Sequence, residues 1–97
     1  MKTLFLASLC YKGILGGSLI VDDEGIGYHS NKLTIPEKYR RLRMPFNDIY
    51  KITLSRMFLL PAIAIDLDNG ETHKFIVFNR KRLVKVLTQL GQETKIV

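Results

Sequence analysis

The chain has 97 residues, enough for one domain and one core. Its hydrophobic content of 46% is ordinary for a globular chain and argues against disorder. Its net charge of +6 and pI of about 9.7 direct attention to acidic partners: anionic lipid headgroups, nucleic acid or an acidic protein.

Met1-Lys2 and the apolar run Leu4–Cys10 open like a signal peptide. The run is barely long enough for that, and Leu9 stands where cleavage would need a small residue. Residues 3–11 are therefore read as a first strand. Gly13, Gly16 and Gly17 mark a loop. A second strand follows over 18–22, with Leu19 and Val21 on one face. Asp23-Glu24-Gly25 turns the chain, with Gly25 free to adopt a left-handed conformation. Residues 26–30 pair back with Ile26 and Tyr28 inward.

Residues 31–38, with Pro36, form the longest connection. In the next strand Leu42, Met44 and Phe46 share one face, and Arg41 and Arg43 the other. Pro45 has no N–H and implies a strand end or edge. Asn47-Asp48 turns. Residues 49–56 then set Tyr50, Ile52 and Leu54 against Lys51, Thr53 and Ser55. Residues 61–68 set Ile63, Ile65 and Leu67 against Ala62, Ala64 and Asp66. Asn69-Gly70 predicts a two-residue hairpin turn, because both positions must accept positive φ. Residues 71–78 bring Phe75 and Val77 to one face. From Asn79 the period changes: Leu83, Val84, Leu87 and Leu90 follow helical spacing, with Asn79 as N-cap and Gly91 just past the end. Three cations in the first turn, Arg80, Lys81 and Arg82, oppose the helix dipole. They are read as tolerated, or as an anion-binding helix end.

The order of elements, about seven antiparallel strands and then one helix over 79–91, resembles the pleckstrin-homology-like superfold, specifically its GRAM and bacterial PH-like branches. Gly17–Ser30 is similar to a hairpin of those domains in which a glycine, a strand, an acidic turn, a glycine and an apolar-x-aromatic triplet follow in turn. Met44–Ile52 looks like their segment joining the fourth strand to the fifth. The match covers residues 16–91 of a single domain spanning 1–97. The resemblance implies a mainly β fold: a PH-like barrel of two near-orthogonal sheets, capped by the C-terminal α-helix. It also implies binding of lipids, proteins or both without catalysis. It departs at the phosphoinositide-binding bases. Lys12 stands where one is expected, but Leu19-Ile20-Val21 has none, so no family binding residues carry over.

Two stretches stand out as a candidate patch. Lys38, Arg40, Arg41 and Arg43 form the densest basic run, suited to phosphate or to acidic protein because arginine donates a fork of parallel hydrogen bonds. The plainer reading is a solvated strand face whose cations discourage edge aggregation. Met57, Phe58 and Leu59, followed by Leu60, sit where alternation lapses. They either form an exposed loop that dips into a bilayer or joins a partner, or line the core of a continuous hairpin. The aromatics Phe46, Tyr50 and Phe75 fall on apolar faces, which disfavours nucleic acid.

Cys10 is the single cysteine, so no intrachain disulfide or cysteine-based zinc site is possible. His29 and His73 lie in different predicted hairpins, and no nucleophile–base pair or metal cluster is readable. The expectation is a non-enzymatic cytoplasmic interaction module without cofactor, binding a protein partner or forming a homo-oligomer. The alternative is peripheral binding to an anionic membrane at its inner face.

Overall fold

A computed structural model describes residues 2–97. Seven strands run in chain order: β1 (Lys2–Cys10), β2 (Ile14–Asp22), β3 (Gly25–His29), β4 (Arg41–Pro45), β5 (Ile49–Met57), β6 (Leu60–Leu67) and β7 (Thr72–Val77). A one-turn helix, α1 (Glu37–Arg40), interrupts the connection before β4, where no helix is expected from the sequence. Helix α2 (Arg80–Gln89) follows β7.

The strands form one antiparallel sheet in the order β4-β3-β2-β1-β7-β6-β5. Its two edges, β4 and β5, are consecutive in the chain and meet through a 3-10 turn at Phe46–Asp48. No ladder joins them, so the sheet is not closed into a barrel. β1 pairs with β2 along its whole length but with β7 only at Ala7–Leu9. Beside β5, Ile96 bridges Ile52 in parallel, the Val97 N–H donates to the Ile52 carbonyl, and the Leu54 N–H donates to the Val97 carbonyl.

Alternation places the core. Phe5, Leu19, Val21, Ile26, Tyr28, Met44, Ile52, Ile63, Ile65, Phe75 and Val77 pack on one face of the sheet with Leu83, Val86 and Leu87 of α2. A buried leucine or isoleucine of this kind contributes about 1.5–3 kcal/mol through its area alone. On α2 the buried position is Val86, while Val84 is only half-buried, so the apolar stripe runs 83-86-87 with Leu90 at its margin.

Four local expectations change. Gly16 and Gly17 lie inside β2 rather than in a loop. At Gly17 a Cβ would meet the His29 carbonyl oxygen at 2.4 Å, so glycine is required by close strand approach. Gly25 has no positive φ; its Cβ would meet the Met44 carbonyl oxygen at 2.5 Å. The β6–β7 turn has positive φ only at Gly70. The Gly70 N–H donates to the Leu67 carbonyl, and the Leu67 N–H to the Glu71 carbonyl, which makes Asp68-Asn69-Gly70 a three-residue loop. Finally, a register shift between Ile49 and Lys51 bulges β5, so that Ile49 and Ile52 are buried and Tyr50 is 69% exposed. Strict alternation cannot show this, and Leu54 near the strand's far end is also partly exposed.

Candidate functional site

The residues singled out in the sequence fall in two separate places. Lys38 and Arg40 lie on α1, and Arg41 and Arg43 on β4, at one edge of the sheet. Met57, Phe58 and Leu59 lie at the end of β5, at the other edge. The chain links these edges at Phe46–Asp48; Met57, Phe58 and Leu59 lie at the far end of β5 from that corner, whereas Arg43 lines a groove with Asp48 and Glu71 beside it. The two groups do not form one continuous patch along the sheet.

Within the basic run the four cations have different fates. The Arg43 fork donates to both carboxylate oxygens of Asp22, at 3.0 and 2.9 Å. That hydrogen bonding, with the Glu24 backbone N–H second, holds the Asp22 carboxyl well below its usual range. Lys38 pairs with Glu71 at 3.2 Å, which raises the Lys38 pKa. Glu71 is lowered, by Asn69 first and Lys38 next. Arg40 and Arg41 have no side-chain hydrogen bond or ion pair among the described residues, and the Arg40 Nε is sealed from solvent without an acceptor. Arg40 and Arg41 line an open groove of about 560 Å³ together with His29, Asn31 and Glu37.

The hairpin tip is exposed. Met57 pairs with Leu60, leaving Phe58-Leu59 as a two-residue loop. Phe58 is 81% exposed and Leu59 88%. Phe58 also has φ of +56°, a conformation that bulky residues rarely adopt and that costs on the order of 1–3 kcal/mol. The neighbouring cations are tied to the rungs of this hairpin nearest its tip. The Arg80 guanidinium donates to the carbonyls of Ser55 and Ala62, at 2.5 and 3.2 Å. The Lys74 ammonium donates to the Arg56 carbonyl at 3.1 Å. Phe78, 54% exposed, lines a shallow groove beside it with Pro61, Arg80 and Lys81. Residues 52–65 and 72–92 contain no Asp or Glu.

This also explains the cations that open α2. Arg80 fastens the helix start to the hairpin, and the Arg82 guanidinium lies over the Phe5 ring at 5.2 Å. Asn79 occupies the N-cap position without a side-chain capping bond. Sequence reasoning missed Arg80 because its acceptors lie 18 and 25 residues away. It also missed Leu4 and Leu6, exposed on the outer face of β1, because an unbroken apolar run does not reveal which face is buried.

The remaining candidates are quiet. Lys12 sits in the β1–β2 turn with its ammonium 5.5 Å from the Tyr11 ring. Tyr11 stacks on Tyr39 at 4.3 Å. Burial raises the pKa of the Cys10 thiol and lowers that of His73. No group of three or more His, Cys, Asp or Glu among the described residues is placed to hold a metal. No described helix is long and apolar enough to cross a membrane. Phe46 and Phe75 are buried, whereas exposed Tyr50 no longer argues against base stacking.

No protein-family model matches the chain, and no curated protein matches it. In fold it is similar to the crystal structure of the C-terminal domain of an unknown protein from Leishmania infantum. The TM-score is 0.74 at 14% sequence identity, covering 96% of this chain and 83% of that one. At that identity the likeness concerns the fold alone.

Proposed function

We propose that this chain is a non-enzymatic, pleckstrin-homology-like module that attaches peripherally to anionic membrane surfaces through the tip of the β5–β6 hairpin. The observation that carries the reading is the exposed Phe58-Leu59 pair, with Phe58 held in a left-handed conformation, set among Arg56, Lys74, Arg80 and Lys81 where residues 52–65 and 72–92 contain no Asp or Glu. Exposed apolar side chains at a convex tip have no folding role, and they match the depth to which a peripheral segment enters the headgroup region. Each nearby cation adds on the order of 1 kcal/mol at an anionic surface, declining with salt. The location this implies is the cytoplasmic face of a membrane.

The finer fold reading belongs to the same proposal. A long β1 that pairs fully with β2 but only briefly with β7 fits a sheet bent into two near-orthogonal halves with α2 filling the open side. Self-association through sheet edges is less favoured. Ile96 and Val97 already pair with β5, and the other edge strand carries Arg41, Arg43 and Pro45.

Cosedimentation with vesicles tests the reading. The chain should bind phosphatidylserine-containing vesicles at low salt, release from them as salt rises, and ignore neutral ones. Phe58→Asp should abolish binding. Equal behaviour toward anionic and neutral vesicles would sink the membrane reading and leave an apolar pocket on a protein partner as the occupant of the tip.

A further inference from the structure

The groove between β3, α1 and β4 plays no part in the hairpin-tip reading, and it is built rather than incidental. The Ser30 N–H donates to the Arg40 carbonyl at 3.0 Å. The Ser30 hydroxyl donates to the Gly16 carbonyl at 2.9 Å and accepts from the Lys32 N–H at 3.3 Å. These bonds consume the buried serine and fix both ends of the 30–40 connection. The antiparallel register then sets Arg41 directly across from His29. Cross-strand neighbours of this kind have Cβ atoms about 4.5–5.5 Å apart.

What remains on the groove wall is a set of donors. The guanidiniums of Arg40 and Arg41, the His29 ring and the Asn31 amide make no side-chain hydrogen bond or ion pair among the described residues. The neighbouring cations Lys38 and Arg43 are neutralised by Glu71 and Asp22. Glu37 lines the same wall and yet pairs with neither arginine.

We propose that this groove binds a phosphomonoester group. Two arginine forks together with the His29 and Asn31 donors offer more N–H groups than the roughly four lone-pair sites of a carboxylate, whereas a phosphomonoester presents three terminal oxygens and close to two charges. His29 and Asn31 complete the donor set. Glu37 accepts from a hydroxyl on the carbon skeleton that carries the phosphate, and it repels a second phosphate. A phosphodiester of nucleic acid fits less well, since it offers two free oxygens and the groove wall carries no Phe, Tyr or Trp for a base to stack on. The ester can be a soluble metabolite or a lipid headgroup, which share this chemistry.

The test uses the full chain labelled with nitrogen-15. Inorganic phosphate, glycerol 2-phosphate and sulfate are titrated separately, and phosphatidate vesicles are compared with phosphatidylserine vesicles of equal charge. Glycerol 2-phosphate should give saturable shifts confined to the amides of residues 29–31 and 37–41, with sulfate weaker. Arg41→Gln, an exposed change, should weaken binding about tenfold or more, the loss of one charge-assisted pair. Arg40→Lys keeps the charge and removes the fork, and should weaken it as well. Phe58→Gly should leave the shifts given by glycerol 2-phosphate unchanged while vesicle binding falls, which separates this site from the hairpin tip. Preference for phosphatidate over phosphatidylserine, without saturation by the soluble ester, assigns the site to a headgroup. No saturation by any phosphomonoester, or shifts indifferent to Arg41→Gln, would overturn the proposal.

Discussion

Phe58 shows how a single residue can run against both backbone and solvent preference. Its φ of +56° suits glycine, and its ring is 81% exposed, so neither conformation nor burial favours phenylalanine there. Phe58→Gly should therefore leave stability unchanged or raise it by up to about 1 kcal/mol, because relief of the left-handed strain offsets the extra freedom of the unfolded chain. Vesicle binding should fall in the same variant. Chemical denaturation and cosedimentation on one preparation separate the two effects. A large loss of stability would mean that the ring packs in a way its exposure denies. Gly17 is the opposite case: its φ is ordinary, and the constraint is the His29 carbonyl 2.4 Å from where a Cβ would stand.

At the scale of elements, α2 closes the core. Leu83 and Leu87 are fully buried, and Val86 joins them on the face toward the sheet. Leu87→Ala should cost about 2–5 kcal/mol, the transfer term plus the cavity, read as a shift of the urea midpoint at unchanged slope. A loss below about 1 kcal/mol would mean that the helix is not seated on the sheet. The helix lacks a side-chain cap and begins with three cations, both unfavourable locally. Tertiary contacts override this: Arg80 reaches two carbonyls of the β5–β6 hairpin, and Arg82 covers Phe5.

Across the whole molecule, titrating groups on different elements make stability fall with acid in two stages. His73 is buried on β7 opposite Ile65, with the Tyr39 ring 6.2 Å away. Burial lowers its pKa below the ordinary 6.5, against a raising influence from Glu71 and with a lowering one from Lys38. The unfolded chain therefore takes up this proton first. The contribution is complete above the ordinary value and is lost as pH falls from it through the folded value. Asp22 and Glu71 are also lowered, from 3.8 and 4.5, so their contributions are lost below those values. Urea midpoints measured from about pH 8 to about pH 3 should show both stages. His73→Phe should flatten the upper stage. Asp22→Asn, which keeps an oxygen for the Glu24 and Gly25 N–H groups, should reduce the lower one. An upper stage that persists in His73→Phe would remove this assignment.

The alternation of Leu19 with Val21, of Ile26 with Tyr28 and of Ile63 with Ile65 was legible in the chain, as were the seven strands and the helix ending at Gly91. Each follows from a period counted along the backbone, and burial of one face leaves little freedom once the period is set. The exposed hairpin tip was legible as one of two alternatives, because a lapse of alternation marks a change without saying which side faces water. Tyr50 was misread, since a bulge adds one residue to a strand and reverses every face before it, and that depends on the partner strand. The same holds for the charges. Arg43 meets Asp22 across 21 positions and Lys38 meets Glu71 across 33, while Arg40 and Arg41 between them have no ion pair among the described residues. Composition and spacing determined that this stretch is basic. Only the register between strands decided which cations are neutralised within the fold and which still face a groove, because pairing acts through space over distances that position along the chain does not encode.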